Sequence, residues 1–342
     1  MIACGKAGGK LHGPYRAAGK AVKSIGVICM LTSKYPMISA AEFDKLFHRV
    51  KNWGLWGNDD QKGTLNYITP EKIVAASALI KSGRTVSMSI PINKNPDPDN
   101  AAPAIHYMAK THDIFPGDVG VAGDFLGMQF HGDCHTHLDA LCHISYRREL
   151  YNGLPSSRVN VTGAGCLDVT AYAQGIIGRG VMIDVPKYRG VKWLEPGEAV
   201  TAEEIIAIEQ KQNVHLGEGD IMVFRTGQYR RRQELGAWDL SYKGQGRAGL
   251  DPYSMPLLHE RKISAFLPEG DGEVVPSYVE GIEYPIHPLQ IAAMGMACAD
   301  SLQLEELAAA CEKEGRFEFM VVIAPLRLPK GTGCPFNPIA VF

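Results

Sequence analysis

His131–Tyr146 reads HGDCHTHLDALCHISY, and residues 131–143 alone hold four histidines and two aspartates. If residues 131–139 run as extended chain, His131, Asp133, His135, His137 and Asp139 share one face, because strand side chains alternate. A turn into a helix at DALCH would set His143 one turn from Asp139, since residues four apart share a helix face. Taken singly, each of these histidines could simply satisfy hydrogen bonds in a polar loop. Taken together, the imidazoles and carboxylates would repel or change protonation unless a cation sat among them. Imidazole and carboxylate converging at about 2 Å is how proteins hold divalent metals. Such an ion lowers the pKa of its water toward about 7, and a histidine outside its ligand set can take the proton.

The flanks describe the frame for this cluster. MISAAEFDKLFHRVKNWG (37–54) spaces Phe43, Leu46, Phe47 and Val50 as an amphipathic helix ending at Gly54. TPEKIVAASALIKSG predicts a helix capped by Thr69, opened by Pro70 and stopped by Gly83. TVSMSIPI (85–92) alternates like a strand, and NKNPDPDNAAPA after it reads as a surface loop. GVMIDVP (180–186) and DIMVFRTG (220–227) predict buried strands. Between them VTAEEIIAIEQKQN predicts a helix with a capping box from Thr201 to Glu204. DSLQLEELAAACEKEG (300–315) predicts a further helix, and FEFMVVIAPLRL a long apolar strand. Strands and helices alternate with no repeat, no linker, no P-loop and no Rossmann glycine fingerprint, so one α/β domain over 37–342 is expected and nucleotide binding has no support.

Composition narrows the function classes. At 342 residues, 45% hydrophobic and 21% charged, the chain has the make-up of a soluble globular protein. A formal charge of -2 gives no reason to expect nucleic acid or an anionic membrane as partner. No apolar run approaches the roughly 20 residues of a membrane span. The eight cysteines form no CxxC pair and several sit in apolar contexts, which fits reduced thiols in a cytoplasmic protein. The first 41 residues contain no Asp or Glu but include Lys6, Lys10, Arg16, Lys20, Lys23 and Lys34. Their apolar part, IGVICML, is short for a secretory signal, so residues 1–36 are expected to be a poorly ordered extension, with Met37 as an alternative start.

Several metal-hydrolase patterns fail at single positions. HTHLD lacks the histidine that a metallo-β-lactamase-like motif needs next, since residue 140 is Ala140. The HxH pair lies mid-chain, unlike that of amidohydrolase barrels, and no cupin-type glutamate follows it. The chain instead resembles the cyclase family of metal-dependent hydrolases, which includes bacterial kynurenine formamidases and isatin hydrolase and carries the pattern HxGTHxDxPxH. THLDALCH supplies Thr136, His137, Asp139 and His143 at matching spacing, with Leu141 at the proline position. The likeness runs from about residue 50 to 342, through NWGLWGNDDQKGTLNYITPEKI, GRGVMIDV, GDIMVFRTG, PIHPL and GTGCPFNPIAVF, and fits a longer branch of the family.

The resemblance implies a swivelling β/β/α-type single α/β domain with a mixed, barrel-like β core. It implies His137 and Asp139 as ligands of zinc or manganese and His143 as the acid/base. For the first ligand, strict spacing falls on Asp133, whereas a two-residue insertion selects His131; His131 is the expectation, with Asp133 and His135 as alternatives. His287 of PIHPL matches a histidine that binds a second metal in formamidases, and is taken as a further catalytic residue. The glutamate that follows it there has no clear counterpart, although Asp300 and Glu269 are available. The implied reaction is water attack on an amide, lactam or lactone carbonyl of a small aromatic substrate, in a homodimer or homotetramer. A non-catalytic ligand-binding relative, and a dehydrating cyclase or isomerase, are the alternatives. Trp53 and Trp56 are read as pocket walls or core anchors, and Arg225 as a substrate-carboxylate holder or a structural ion pair.

Overall fold

IMVFR, AFLP and the second half of IIGRGVMID are apolar at nearly every position, the pattern of parallel strands covered on both faces. A computed structural model describes residues 33–114 and 117–342 and places them so. Residues 1–32 of the expected leader lie outside the described residues. At its end, the ring of Tyr35 packs on Tyr278 with centres 5.0 Å apart, and its hydroxyl accepts the Ala199 N–H.

The strands that matter here are β1 (Thr85–Ser87), β2 (Ile105–Lys110), β3 (Gly123–Gly127), β4 (His137–Asp139), β5 (Ile176–Asp184), β6 (Ile221–Arg225), β7 (Ala265–Pro268), β8 (Ala297–Asp300), β9 (Glu318–Ile323), β10 (Gly333–Pro335) and β11 (Ile339–Val341). Nine of them make one curled sheet, a half-barrel, in the order β1-β11-β9-β5-β6-β7-β8-β4-β10. The central run β5 to β8 is parallel, and the strands on both sides join antiparallel. Strands β2 and β3 form a separate hairpin. The result is the single α/β domain with a mixed, barrel-like core that the sequence implied.

Alternation along the parallel strands divides the core. Met182, Val223, Ala265 and Leu267 face one layer, with Leu138 and Phe319; Val181, Ile183, Met222, Phe224 and Phe266 face the other, with Phe43 and Phe47 of the first helix. Each side chain fully buried in this way contributes about 1.5–3 kcal/mol relative to exposure. Trp53 joins this packing and donates its indole N–H to the Ala292 carbonyl at 2.7 Å, while Trp56 meets Tyr67 edge-on. Neither lines the cavity described below; Trp53 is a core anchor packed against both layers, while Trp56 is half-buried outside them.

Several predicted boundaries move, each for a local reason. The first helix is Ala40–Arg49, opened by a reciprocal Ser39–Glu42 capping box, and it stops before Gly54. The second is Pro70–Ser77 under Thr69; Ala78, Leu79 and Ile80 then bond to carbonyls three residues back, which tightens and ends it before Gly83. Strand β1 covers only the start of 85–92, because Pro338 on the neighbouring strand has no N–H to continue the ladder. The helix Ala202–Gln212 has half of its expected capping box. Thr201 accepts the Glu204 N–H, but the Glu204 carboxylate turns to Arg189 at 2.7 Å. Asp300 ends β8, and the helix predicted from it begins at Glu305.

Candidate metal centre

Register builds the centre. In the antiparallel pair β4–β8, Asp139 lies opposite Cys298 and His137 opposite Asp300, while Leu138 and Ala299 turn to the core. Four donor side chains therefore stand as a square on one face of two neighbouring strands. Thr136 locks the edge: its hydroxyl donates to the Ser301 carbonyl at 2.6 Å and accepts the Ile90 N–H at 2.8 Å. The His137 Nδ1–H donates to the His135 carbonyl at 2.8 Å, which turns Nε2 toward Asp139 Oδ1 at 3.6 Å and Asp300 Oδ2 at 3.9 Å.

The one-face reading of 131–139 is corrected here. Only 137–139 is strand; residues 131–135 are a series of bends that send their side chains three ways. His131 turns inward, with Nδ1 2.9 Å from Asp139 Oδ1. Asp133 pairs with Arg247 at 2.5 Å, and the His135 Nε2–H donates to the Asn93 carbonyl at 3.1 Å. Of the alternatives for the first ligand, His131 is the one that reaches Asp139. The terminal GTG segment holds it there. Thr332 Oγ1 lies 3.0 Å from His131 Nε2, and a Cβ on Gly333 would fall 2.9 Å from His131 Cε1.

The segment 140–143 is a turn rather than a helix, closed by the His143 N–H on the Ala140 carbonyl, yet it brings about the expected proximity. His143 Nε2 is 3.7 Å from Asp139 Oδ2, and its ring stacks on that of His131. Burial pulls the His143 pKa down to about 4, with the imidazoles of His131, His287 and His137 adding to the effect against the pull of Asp139. Asp139 shows the opposite balance. Burial alone would raise its pKa, but His143, His131 and His137 together hold it well below the usual carboxylate range.

His287 enters from the first turn of the helical segment that continues through Pro288–Ala293, with Nδ1 2.8 Å from Glu273 Oε1 and Nε2 3.1 Å from Asp300 Oδ2. Glu273 also accepts the backbone N–H groups of Ile286 and His287, so one carboxylate fixes both the ring and the chain that carries it. Burial works against the imidazolium, but Asp300 and Glu273 outweigh it and lift the His287 pKa well above its ordinary value. Asp139, His287, Cys298 and Asp300 thus make a second, fully buried donor group beside His131, Asp139 and His143. Of the two candidate downstream carboxylates, Asp300 reaches His287, with Oδ2 3.1 Å from Nε2. Glu269 does not: one of its oxygens accepts the N–H groups of Thr226 and Gly227. Glu273, Cys298 and Gly333 were missed in the sequence because no spacing rule links them to the histidines.

Asp271, Glu273 and Asp300 follow the carboxyl ends of parallel strands β7 and β8, the side of such sheets on which ligands bind. There a cavity of about 380 Å³ is lined by His131, His137, His143, His287, Asp300 and Arg247, among others. Arg225 is elsewhere, buried between Asp184 at 2.8 Å and Glu305 at 2.7 Å, and its structural reading is the correct one. Both oxygens of Asp139 and Nδ1 of His131 are buried, and although Nδ1 and Oδ1 stand 2.9 Å apart, none of these atoms meets a partner among the described residues in hydrogen-bonding geometry. Donors that crowd together without bonding one another are what a cation satisfies. Two ligands of one tetrahedral zinc sit about 3.4 Å apart, and the His131–Asp139 and His137–Asp139 spacings, 2.9 and 3.6 Å, bracket that value. These residues fit a divalent ion.

The fold has known relatives. The profile of the family described as "Putative cyclase" matches residues 60–270. A solved structure described as a novel cyclase is 32% identical, covering 85% of this chain and 99% of its own, with a TM-score of 0.76. Isatin hydrolase A from Ralstonia solanacearum shares the fold at 20% identity and a TM-score of 0.56, over 80% of this chain and 98% of its own. Isatin hydrolase A from Labrenzia aggregata, bound to benzyl benzoate, does so at 20% identity and a TM-score of 0.54, over 79% and 97%. No curated protein matches.

Proposed function

The chain belongs to the cyclase family, and from that premise we propose that it is a metal-dependent hydrolase that uses water to open an amide, lactam or lactone carbonyl of a small aromatic substrate, as an arylformamidase or isatin hydrolase does. The observation that carries this reading is the orphaned, buried carboxylate of Asp139 faced by His131, His137 and His143, the three histidines lining a substrate-sized cavity.

His131, His137 and Asp139 would hold zinc or manganese, since nitrogen and oxygen donors accept both. Such an ion supplies Lewis acidity, making water nucleophilic near neutral pH and drawing charge from a carbonyl oxygen. Asp139, His287, Cys298 and Asp300 extend the proposal to a second ion sharing Asp139. His143 is the proton carrier. It borders the cavity, its Nε2 points at the ligand carboxylate, and it is uncharged at neutral pH, so it can accept the proton of water and return it to the departing nitrogen or oxygen. His287 is held through Nδ1 by Glu273, and its Nε2, beside Asp300 at 3.1 Å, is the atom it would give to that second ion.

The assembly proposed is a homodimer or homotetramer, because the hairpin β2–β3 exposes Ile105, Tyr107, Phe125 and Leu126, which a second copy would cover. The buried free thiols suit the reducing cytoplasm, and no helix among the described residues is long and apolar enough to cross a membrane. Elemental analysis with a panel of aryl formamides, cyclic amides and lactones tests the function. The expected result is bound zinc or manganese, turnover abolished by chelation, and one water added across the products: a single acid heavier by one water from a lactam or lactone, an amine plus formate from a formamide. Full turnover after exhaustive metal removal, or a product that has lost water, would refute it.

A further inference from the structure

A buried cation is built into the wall of the same cavity. Arg247 is 3% exposed and borders the cavity with Asp133, Asp271 and Tyr284. Its backbone is pinned by paired bonds with Val275, the N–H of each residue donating to the carbonyl of the other at 3.0 Å. One guanidinium atom carries both of its ion pairs. Nη1 lies 2.5 Å from Asp133 Oδ1 and 2.8 Å from Asp271 Oδ2. Nε is buried and has no hydrogen-bond partner among the described residues. A group that can present a two-pronged fork to a carboxylate is thus held by single-point contacts.

The two carboxylates differ in how firmly they are placed. The side chain of Asp271 is 14% exposed and follows β7, whereas that of Asp133 is 36% exposed and hangs from the irregular segment that carries His131. Tyr284 borders the same space, its ring centre 5.8 Å from the guanidinium carbon.

We propose that Arg247 anchors a carboxylate substituent of the substrate, and that Asp133 occupies this anchor until the substrate replaces it. Exchanging one carboxylate for another leaves the charge around Arg247 unchanged, so no uncompensated buried charge is created. Asp133, already part-exposed, returns to water, and a one-point contact gives way to a two-point one. The Tyr284 ring offers a face for an aromatic group next to that carboxylate. The substrate class is therefore an aryl amide, lactam or lactone bearing a carboxylate. This deepens the hydrolase reading of the cavity and rests on it.

Calorimetric binding of benzoate, and of benzamide as its uncharged counterpart, to the metal-loaded protein tests the anchor without turnover. Asp133→Asn, which removes the competing charge, is expected to tighten benzoate about tenfold, the effect of one charge-assisted hydrogen bond. Arg247→Lys keeps the charge but loses the fork, and weakens benzoate about tenfold; Arg247→Met abolishes its binding. Benzamide affinity stays the same in all of them. Benzoate affinity unchanged by Asp133→Asn and Arg247→Lys would overturn the proposal, since the carboxylate would then sit on the metal alone. Should Arg247→Met fail to fold, leaving Asp271 unpaired, the other two variants decide. Failure of the hydrolase reading itself is seen separately, as absent metal or absent turnover.

Discussion

The imidazole rings of His131 and His143 lie parallel, 2° apart, with centres separated by 3.9 Å. Two rings so close cannot both carry a proton without strong repulsion. Both rings border the cavity, and the proposed division of roles follows from their partners: His131 meets Asp139 through Nδ1 at 2.9 Å and Thr332 through Nε2 at 3.0 Å, whereas His143 Nε2 stands 3.7 Å from Asp139. His143→Ala is therefore expected to keep its metal and lose about 10²–10⁴-fold in kcat. Elemental analysis beside steady-state kinetics checks this; loss of the metal would make His143 a ligand instead.

Gly333 leaves the space that His131 fills. A methyl group there would meet the Leu138 carbonyl at 2.4 Å as well as the His131 ring at 2.9 Å. Neither neighbour is the loose end of a flexible side chain, so Gly333→Ala should displace the imidazole and weaken metal binding by about 10–100-fold. Thr332→Val, which removes one hydrogen bond and adds no clash, should weaken it less. Competition with a chelator of known affinity measures both.

Glu269 gives stability a pH dependence. Burial raises its pKa to about 7, against the opposing pull of Arg225 and of the Gly227 and Thr226 N–H groups. A carboxyl group whose pKa rises on folding favours the folded state when protonated. Its contribution is complete below the ordinary value near 4.5 and is lost as pH climbs through about 7. Glu269→Gln should thus gain on the parent protein between pH 5 and pH 8, by an amount on the order of 2–3 kcal/mol. Denaturant titrations across that range check it, and parallel stability curves would refute it.

Arg225 acts on the fold alone. It bridges Asp184 at the end of β5 and Glu305 at the start of a helix, and it borders no part of the cavity. Arg225→Met leaves Asp184 buried without its partner and should cost about 3–5 kcal/mol. KM of the surviving folded enzyme should not change. A raised KM would return Arg225 to the binding site.

Asp139, His137 and His143 could be named from the sequence because a strand and a turn, both local, set their relation over seven residues. The expectation of His131 over Asp133 and His135 rested on the resemblance alone, because local spacing does not choose among them. The segment bends, and each side chain follows a distant partner: Asp139 beside Thr332 for His131, Arg247 for Asp133, the Asn93 carbonyl for His135. Trp53 and Arg225 were undecided for the same reason, since a sequence states what a side chain can do and not which neighbours it meets.

By itself, then, the chain's pattern of apolar runs, caps and ligand-type residues pointed to an α/β architecture and a candidate metal-binding stretch around His137, consequences of short-range periodicity and residue chemistry, while the family rested on the resemblance of its motifs. Only the tertiary structure decided that Cys298 and Asp300 stand opposite Asp139 and His137, that Glu273 orients His287, and that Arg247 borders the cavity. Those relations are set by strand register and by loops leaving the carboxyl ends of parallel strands. Glu273 and His287 are 14 positions apart across an irregular loop, and the other pairs are more than a hundred apart, where no local rule of spacing reaches.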